Sequence, residues 1–77
     1  MIQEMVVLIT GAAGRIGSSI ANGVISQGGR VIFVDVNEAS LEKITACLNE
    51  ESIFTIVADA NIPDEADRCI AAGMEKF

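Results

Sequence analysis

Thr10-Gly11-Ala12-Ala13-Gly14-Arg15-Ile16-Gly17 lies between an apolar run, Met5-Val6-Val7-Leu8-Ile9, and a segment with helical spacing of its apolar residues. A glycine-rich turn that leaves a strand and opens a helix aims main-chain N–H groups and the positive end of the helix dipole at one point, an arrangement suited to a pyrophosphate. Each glycine has its own task. Gly11 allows the sharp exit from the strand, Gly14 keeps side-chain atoms away from a bound phosphate, and Gly17 lets the helix approach the sheet. An acidic residue, Asp35, closes the next apolar run, at the separation where a carboxylate meets the adenosine ribose in a dinucleotide-binding βαβ unit.

Outward from this turn, strands and helices alternate. Met5 to Thr10 is apolar without alternation, the pattern of a strand buried on both faces. The helix from Arg15 to Gln27 carries Ile16, Ile20 and Val24 at four-residue intervals, with Gly17 and Ala21 beside them, and ends at Gly28-Gly29. Arg30 to Asp35 is a second strand. Asn37 is placed to cap a second helix whose buried stripe is Leu41, Ile44 and Leu48. Ile53 to Ala58 forms a third strand ending at Asp59, and Pro63 opens a third helix with Ala66, Ile70, Met74 and Phe77 on its apolar face.

The order βαβαβα requires parallel pairing and right-handed crossovers. The expected fold is an α/β, Rossmann-type parallel sheet of three strands in the order 3-2-1. The first two helices lie on one face and the third on the other, as in an incomplete doubly wound domain.

Composition narrows the function classes. The chain has 77 residues, 51% of them hydrophobic, and 11 acidic against 5 basic residues give a net charge of −6. Without a Lys/Arg cluster, nucleic acid is not an expected partner. The N-terminus Met1-Ile2-Gln3-Glu4 is acidic where a signal peptide is basic, and no apolar run reaches membrane-spanning length, so a cytoplasmic protein without membrane association is expected. Cys47 and Cys69 lack metal-site spacing and are read as buried or half-buried thiols on opposite faces of the sheet, too far apart to bridge. No metal site is expected.

With these residues together, the whole chain resembles the N-terminal, nucleotide-binding half of a short-chain dehydrogenase/reductase. The resemblance implies that Thr10 steadies the turn and that Gly11, Gly14, Arg15, Ile16 and Gly17 form the floor under the pyrophosphate. It further implies that Asp35 accepts the adenosine ribose hydroxyls, that Val36 walls the adenine pocket, and that Asp59, with Ala60 beside it, meets the adenine amino group. Classical members carry Thr-Gly-x-x-x-Gly-x-Gly. Here Gly14 is the middle glycine, and the Gly-x-x-Gly-x-x-Gly spacing is closer to the extended subfamily, so the subfamily stays open. A carboxylate at Asp35 would repel a 2′-phosphate, which favours NAD over NADP, whereas Arg15 argues weakly the other way.

The family's hydride transfer uses a tyrosine, a lysine and a serine, and this sequence contains no tyrosine. No catalytic residue is therefore assigned within it. The expected role is the NAD(H)-binding portion of an oxidoreductase, with a non-catalytic dinucleotide-binding regulatory module or a degenerate fragment as the alternative. If Met5–Ile9 stands as an unpaired apolar edge, the isolated chain is expected to self-associate through it, or copies associate as a homo-oligomer of the full-length enzyme.

Overall fold

The computed structural model describes residues 5–12 and 14–77. The acidic stretch Met1–Glu4 and Ala13 of the turn lie outside the described residues. Three parallel strands, β1 (Val6–Thr10), β2 (Arg30–Asp35) and β3 (Ile53–Val57), form one sheet with β2 in the centre, which is the expected 3-2-1 order read from the opposite edge. The register aligns Val7 with Val31 and Val31 with Ile53. Three α-helices follow the strands: α1 (Arg15–Ser26), α2 (Glu38–Thr45) and α3 (Pro63–Lys76), with a short 3-10 turn at Glu50–Ser52 ahead of β3.

The pleat of β2 divides the core. Successive side chains of a strand point to opposite faces, and Val31, Ile32, Phe33 and Val34 are all buried. Val31 and Phe33 join Ala12, Ala21 and Leu41 in one cluster, to which α1 and α2 contribute. Ile32 and Val34 join Ile56, Ala58 and Cys69 of α3 in the other. Each helix therefore crosses to the face that the parity of β2 supplies with apolar side chains.

Local signals fix the helix ends. Gln27 caps α1 and Gly28 follows with φ 88°, where its N–H donates to Ile25 O at 2.9 Å and Gly29 N–H to Val24 O at 3.0 Å. These two bonds are the Schellman pattern that satisfies the last carbonyls of a helix. Asn37 caps α2, its side chain accepting from Ser40 N–H at 3.0 Å. Pro63 occupies the first turn of α3, where its missing N–H leaves no helical bond unmade.

Several expectations are corrected. β1 is the edge strand that the 3-2-1 order implies, but it is not buried on both faces: Val6 is 41% exposed and no residue of the strand is fully buried. The fully buried apolar strand is β2, because only the central strand has neighbours on both sides as well as helices on both faces. Ile16 and Ile20 are exposed; α1 turns Ala21 inward, flanked by half-buried Val24 and Ile25. On α3 the buried residues are Cys69 and Gly73, while Ile70 and Met74 are exposed. In both helices the closest approach to the sheet admits only small side chains, so the bulky ones lie to the side. Cys47 lies beyond the end of α2 and is exposed, whereas Cys69 is buried; both are free thiols. No described helix is long and apolar enough to cross a membrane.

Candidate functional site

The turn between β1 and α1 is built as its glycines suggest. Gly11 has φ 63°, in the left-handed region that L side chains rarely adopt. Gly14 N–H closes the turn on Gly11 O at 3.1 Å, and Ala12 N–H donates to Val34 O at 3.1 Å, tying the turn to the central strand. A Cβ on Gly17 would stand 2.9 Å from Gly11 O and 3.0 Å from Ala12 Cα. The third glycine thus permits contact between the first turn of α1 and the backbone of the glycine turn itself, more than with the sheet beyond.

Gly14 is the N-cap of α1 and supplies no side-chain acceptor, and the first turn carries no acidic residue. The first α-helical bond is Ser18 N–H to Gly14 O at 2.9 Å. The amides of Arg15, Ile16 and Gly17 precede it and form the electropositive end of the helix. Arg15 is exposed at the first helical position, where the dipole disfavours a cation.

At the C-terminal ends of the strands a cleft of about 340 Å³ opens, within the range of small-molecule sites. Thr10 and Gly11 from β1 and its turn, Val34 to Val36 from the end of β2, and Ala58 to Asn61 after β3 line it. Six of the expected residues are brought together here: Thr10, Gly11, Asp35, Val36, Asp59 and Ala60. Gly14, Arg15, Ile16 and Gly17 are not part of this lining and sit at the start of α1. Val34, Ala58 and Asn61 were not foreseen.

The two aspartates share one local geometry. Asp35 Oδ1 accepts from Asn37 N–H at 3.0 Å, and Asp59 Oδ1 accepts from Asn61 N–H at 2.9 Å. Each carboxylate is thereby turned back on the chain two residues ahead, an Asx-turn. The sequence carries the signal twice, as Asp35-Val36-Asn37 and Asp59-Ala60-Asn61. An ionised carboxylate only accepts hydrogen bonds, so two of them in one cleft suit a ligand that offers hydroxyl or amino donors.

The short chain dehydrogenase family profile matches residues 5–77. The chain belongs to the short-chain dehydrogenase family. Members are oxidoreductases that bind nicotinamide dinucleotides, and a turn with left-handed Gly11 leading into the N-terminal amides of α1, without an acidic side chain in that first turn, fits that cofactor class. The chain is 35% identical over 75 residues to 1,6-dihydroxycyclohexa-2,4-diene-1-carboxylate dehydrogenase of Pseudomonas putida, which covers 97% of this chain and 28% of that protein. A short-chain glucose/ribitol dehydrogenase from Brucella melitensis superposes with a TM-score of 0.92 at 34% identity, over 99% of this chain and 33% of that one. The 3-ketoacyl-(acyl-carrier-protein) reductase of the same organism, solved with NADH, superposes with a TM-score of 0.91 at 26% identity, over 100% of this chain and 31% of that one. The chain therefore spans about a third of the length of the relatives it matches.

Proposed function

We propose that residues 1–77 form the N-terminal, NAD(H)-binding half of the nucleotide domain of a short-chain dehydrogenase. In this reading Thr10, Gly11, Gly14, Arg15, Ile16 and Gly17 hold the pyrophosphate, the last three through their main-chain N–H groups at the start of α1. Asp35 accepts the adenosine ribose hydroxyls, Val36 packs against the adenine, and Asp59 and Ala60 close the far side of its pocket. The bound cofactor would supply hydride transfer. This chain's own residues bind and orient it, and none is assigned a catalytic role.

The observation that carries the reading is the meeting of Asp35, Asp59 and the glycine turn at one end of the sheet, with both carboxylates turned by Asx-bonds. The preference for NAD over NADP rests on Asp35. A carboxylate beside the ribose has two acceptor oxygens for two hydroxyls, and a 2′-phosphate there would place like charges together. Arg15 is the one residue of the turn that speaks for NADP.

Calorimetric titration of the chain with NAD and NADP, with Asp35→Ala in parallel, tests both points. NAD is expected to bind more tightly than NADP. Asp35→Ala is expected to weaken NAD by about tenfold or more, since hydrogen bonds to a charged group contribute about 1.5–3 kcal/mol, and to narrow the gap to NADP. Equal affinities in the parent chain and the variant would overturn the assignment of Asp35. The acidic chain is further proposed to act in the cytoplasm, and isolated copies are proposed to self-associate along the exposed β1 edge.

A further inference from the structure

We infer that Glu65 is a positioning residue for the adenine end of the site, holding Asp59 in place from the first turn of α3. The inference rests on the nucleotide-binding reading above and extends it to a residue outside the cleft.

The hydrogen bonds at the end of β3 lead to it. The last ladder bond between β3 and β2 is Ala58 N–H to Asp35 O at 3.0 Å. Successive amides of a strand point to alternate edges, so the Asp59 amide points away from β2, to the edge of β3 that carries no neighbouring strand among the described residues. A partly buried amide without an acceptor is costly. Glu65 supplies the acceptor, its Oε1 lying 3.1 Å from Asp59 N.

Helix α3 is arranged so that this carboxylate is available. Its N-cap is Ile62, which has no side chain able to cap. A glutamate at the third helical position ordinarily reaches back to the N-cap amide, but Ile62 N–H is already donated to Asp59 O at 3.0 Å. Glu65 therefore passes over Ile62 and binds three residues further back. The same Oε1 lies 3.7 Å from Arg68 Nη2, one helical turn along.

Asp59 is consequently held at three atoms. Its N–H goes to Glu65, its carbonyl takes Ile62 N–H, and its Oδ1 takes Asn61 N–H. Two of these bonds lie within the turn and move with it. Only the bond to Glu65 anchors the turn to a helix that is itself packed on the sheet through Cys69. Without Glu65 the strand still delivers the chain to the cleft, but the direction of the Asp59 carboxylate is set by a four-residue turn alone.

The test compares ADP with IDP, which lacks the adenine amino group, as probes of the full chain by calorimetry. If Asp59 meets that group, the parent chain prefers ADP by about tenfold, the worth of one such hydrogen bond. Glu65→Ala is expected to reduce the ADP/IDP ratio to about twofold, whereas Glu65→Gln, which keeps an acceptor and removes the charge, is expected to retain it. A loss confined to general stability would weaken both nucleotides together and leave the ratio unchanged, which would overturn the inference. Independently of any variant's folding, the Asp59 amide of the parent chain is expected to exchange at least tenfold more slowly than that of Ala60, the neighbouring amide for which no acceptor is found among the described residues; equal rates would also overturn it. ADP binding with an unaltered ratio in Glu65→Ala refutes the role of Glu65 and leaves the nucleotide reading standing. Binding of neither nucleotide by the folded parent chain refutes both.

Discussion

Gly17 and Gly23 lie in the same helix, and the same substitution at each should have opposite effects. A Cβ at Gly17 would lie 2.9 Å from Gly11 O and 3.0 Å from Ala12 Cα, both main-chain atoms. Neither yields easily, because Gly11 O holds Gly14 N–H and Ala12 N–H holds Val34 O. Relief needs a separation of a few tenths of an ångström between α1 and its own turn, and overpacking of this kind costs about 1–3 kcal/mol. Alanine returns at most about 1 kcal/mol through its higher helix propensity, less in a first turn. Gly17→Ala is therefore expected to destabilise the chain by about 1–2 kcal/mol. At Gly23 a Cβ meets nothing within 4 Å, so only the propensity and unfolded-chain terms remain, and Gly23→Ala should stabilise by about 0.5–1 kcal/mol. The two variants should differ by about 2 kcal/mol, or about 10 °C in Tm for a domain of this size, in parallel thermal melts. A Gly17→Ala chain as stable as Gly23→Ala would refute the close approach of α1 to the glycine turn.

Gly11 tests backbone conformation without crowding: its φ is 63° and a Cβ there would meet nothing within 4 Å, so Gly11→Ala should cost about 1–2 kcal/mol and Gly11→Asn less, read from urea midpoints. Asn37→Ala removes the α2 cap and should cost about 1 kcal/mol. The same variant should leave NAD affinity within about twofold, because Asn37 binds Asp35 through its main-chain N–H, which alanine keeps. Val6→Lys on β1 and Met74→Lys on α3 place charge on an apolar groove also lined by Leu8, Ile32, Ile70 and Phe77. Light scattering should show the parent chain associating with rising concentration and the double variant monomeric, since lysine on an edge strand opposes pairing. A monomeric parent chain would remove the edge as a contact surface.

The sequence announced the element order and the convergence of the strand ends more reliably than the helix faces, and particular residues show why. For α1 the apolar spacing of Ile16, Ile20 and Val24 suggested a bulky stripe, yet the buried residue is Ala21, with Gly17 against the turn. For α3 the same reading favoured Ile70 and Met74, yet Gly73 faces the sheet so closely that a Cβ would overlap the Ile32 side chain. Counting apolar bulk finds the face that could be buried. Where backbones approach closely, small residues occupy the contact and the large ones flank it. Gly17 carried that meaning because it belonged to a recognised spacing; Gly73 stood in no motif. Glu65 is inconspicuous in the sequence for a related reason. An acid in a first helical turn is explained by the dipole alone, and only the missing ladder partner of Asp59 shows that its carboxylate has a second task.

The meeting of Thr10, Gly11, Asp35, Val36, Asp59 and Ala60 at one cleft was legible because it follows from register. Thr10 is paired with Val34 in the β1–β2 ladder, and Asp35 with Val57 in the β2–β3 ladder. Three parallel strands in that alignment end within one residue of a common level, so the residues just past their ends, Gly11, Val36 and Ala58 with Asp59 next after it, converge without any contact designed between them. A one-residue slip of β3 against β2 would bury polar Thr55 where Ile56 packs and turn Ile56 outward. The apolar parity of β3 therefore guards the position of Asp59 as firmly as any bond to the aspartate itself. What the register leaves open is only the direction of each carboxylate. The repeated Asp-x-Asn turns fix that locally for both acids, and α3 adds its own anchor at Asp59.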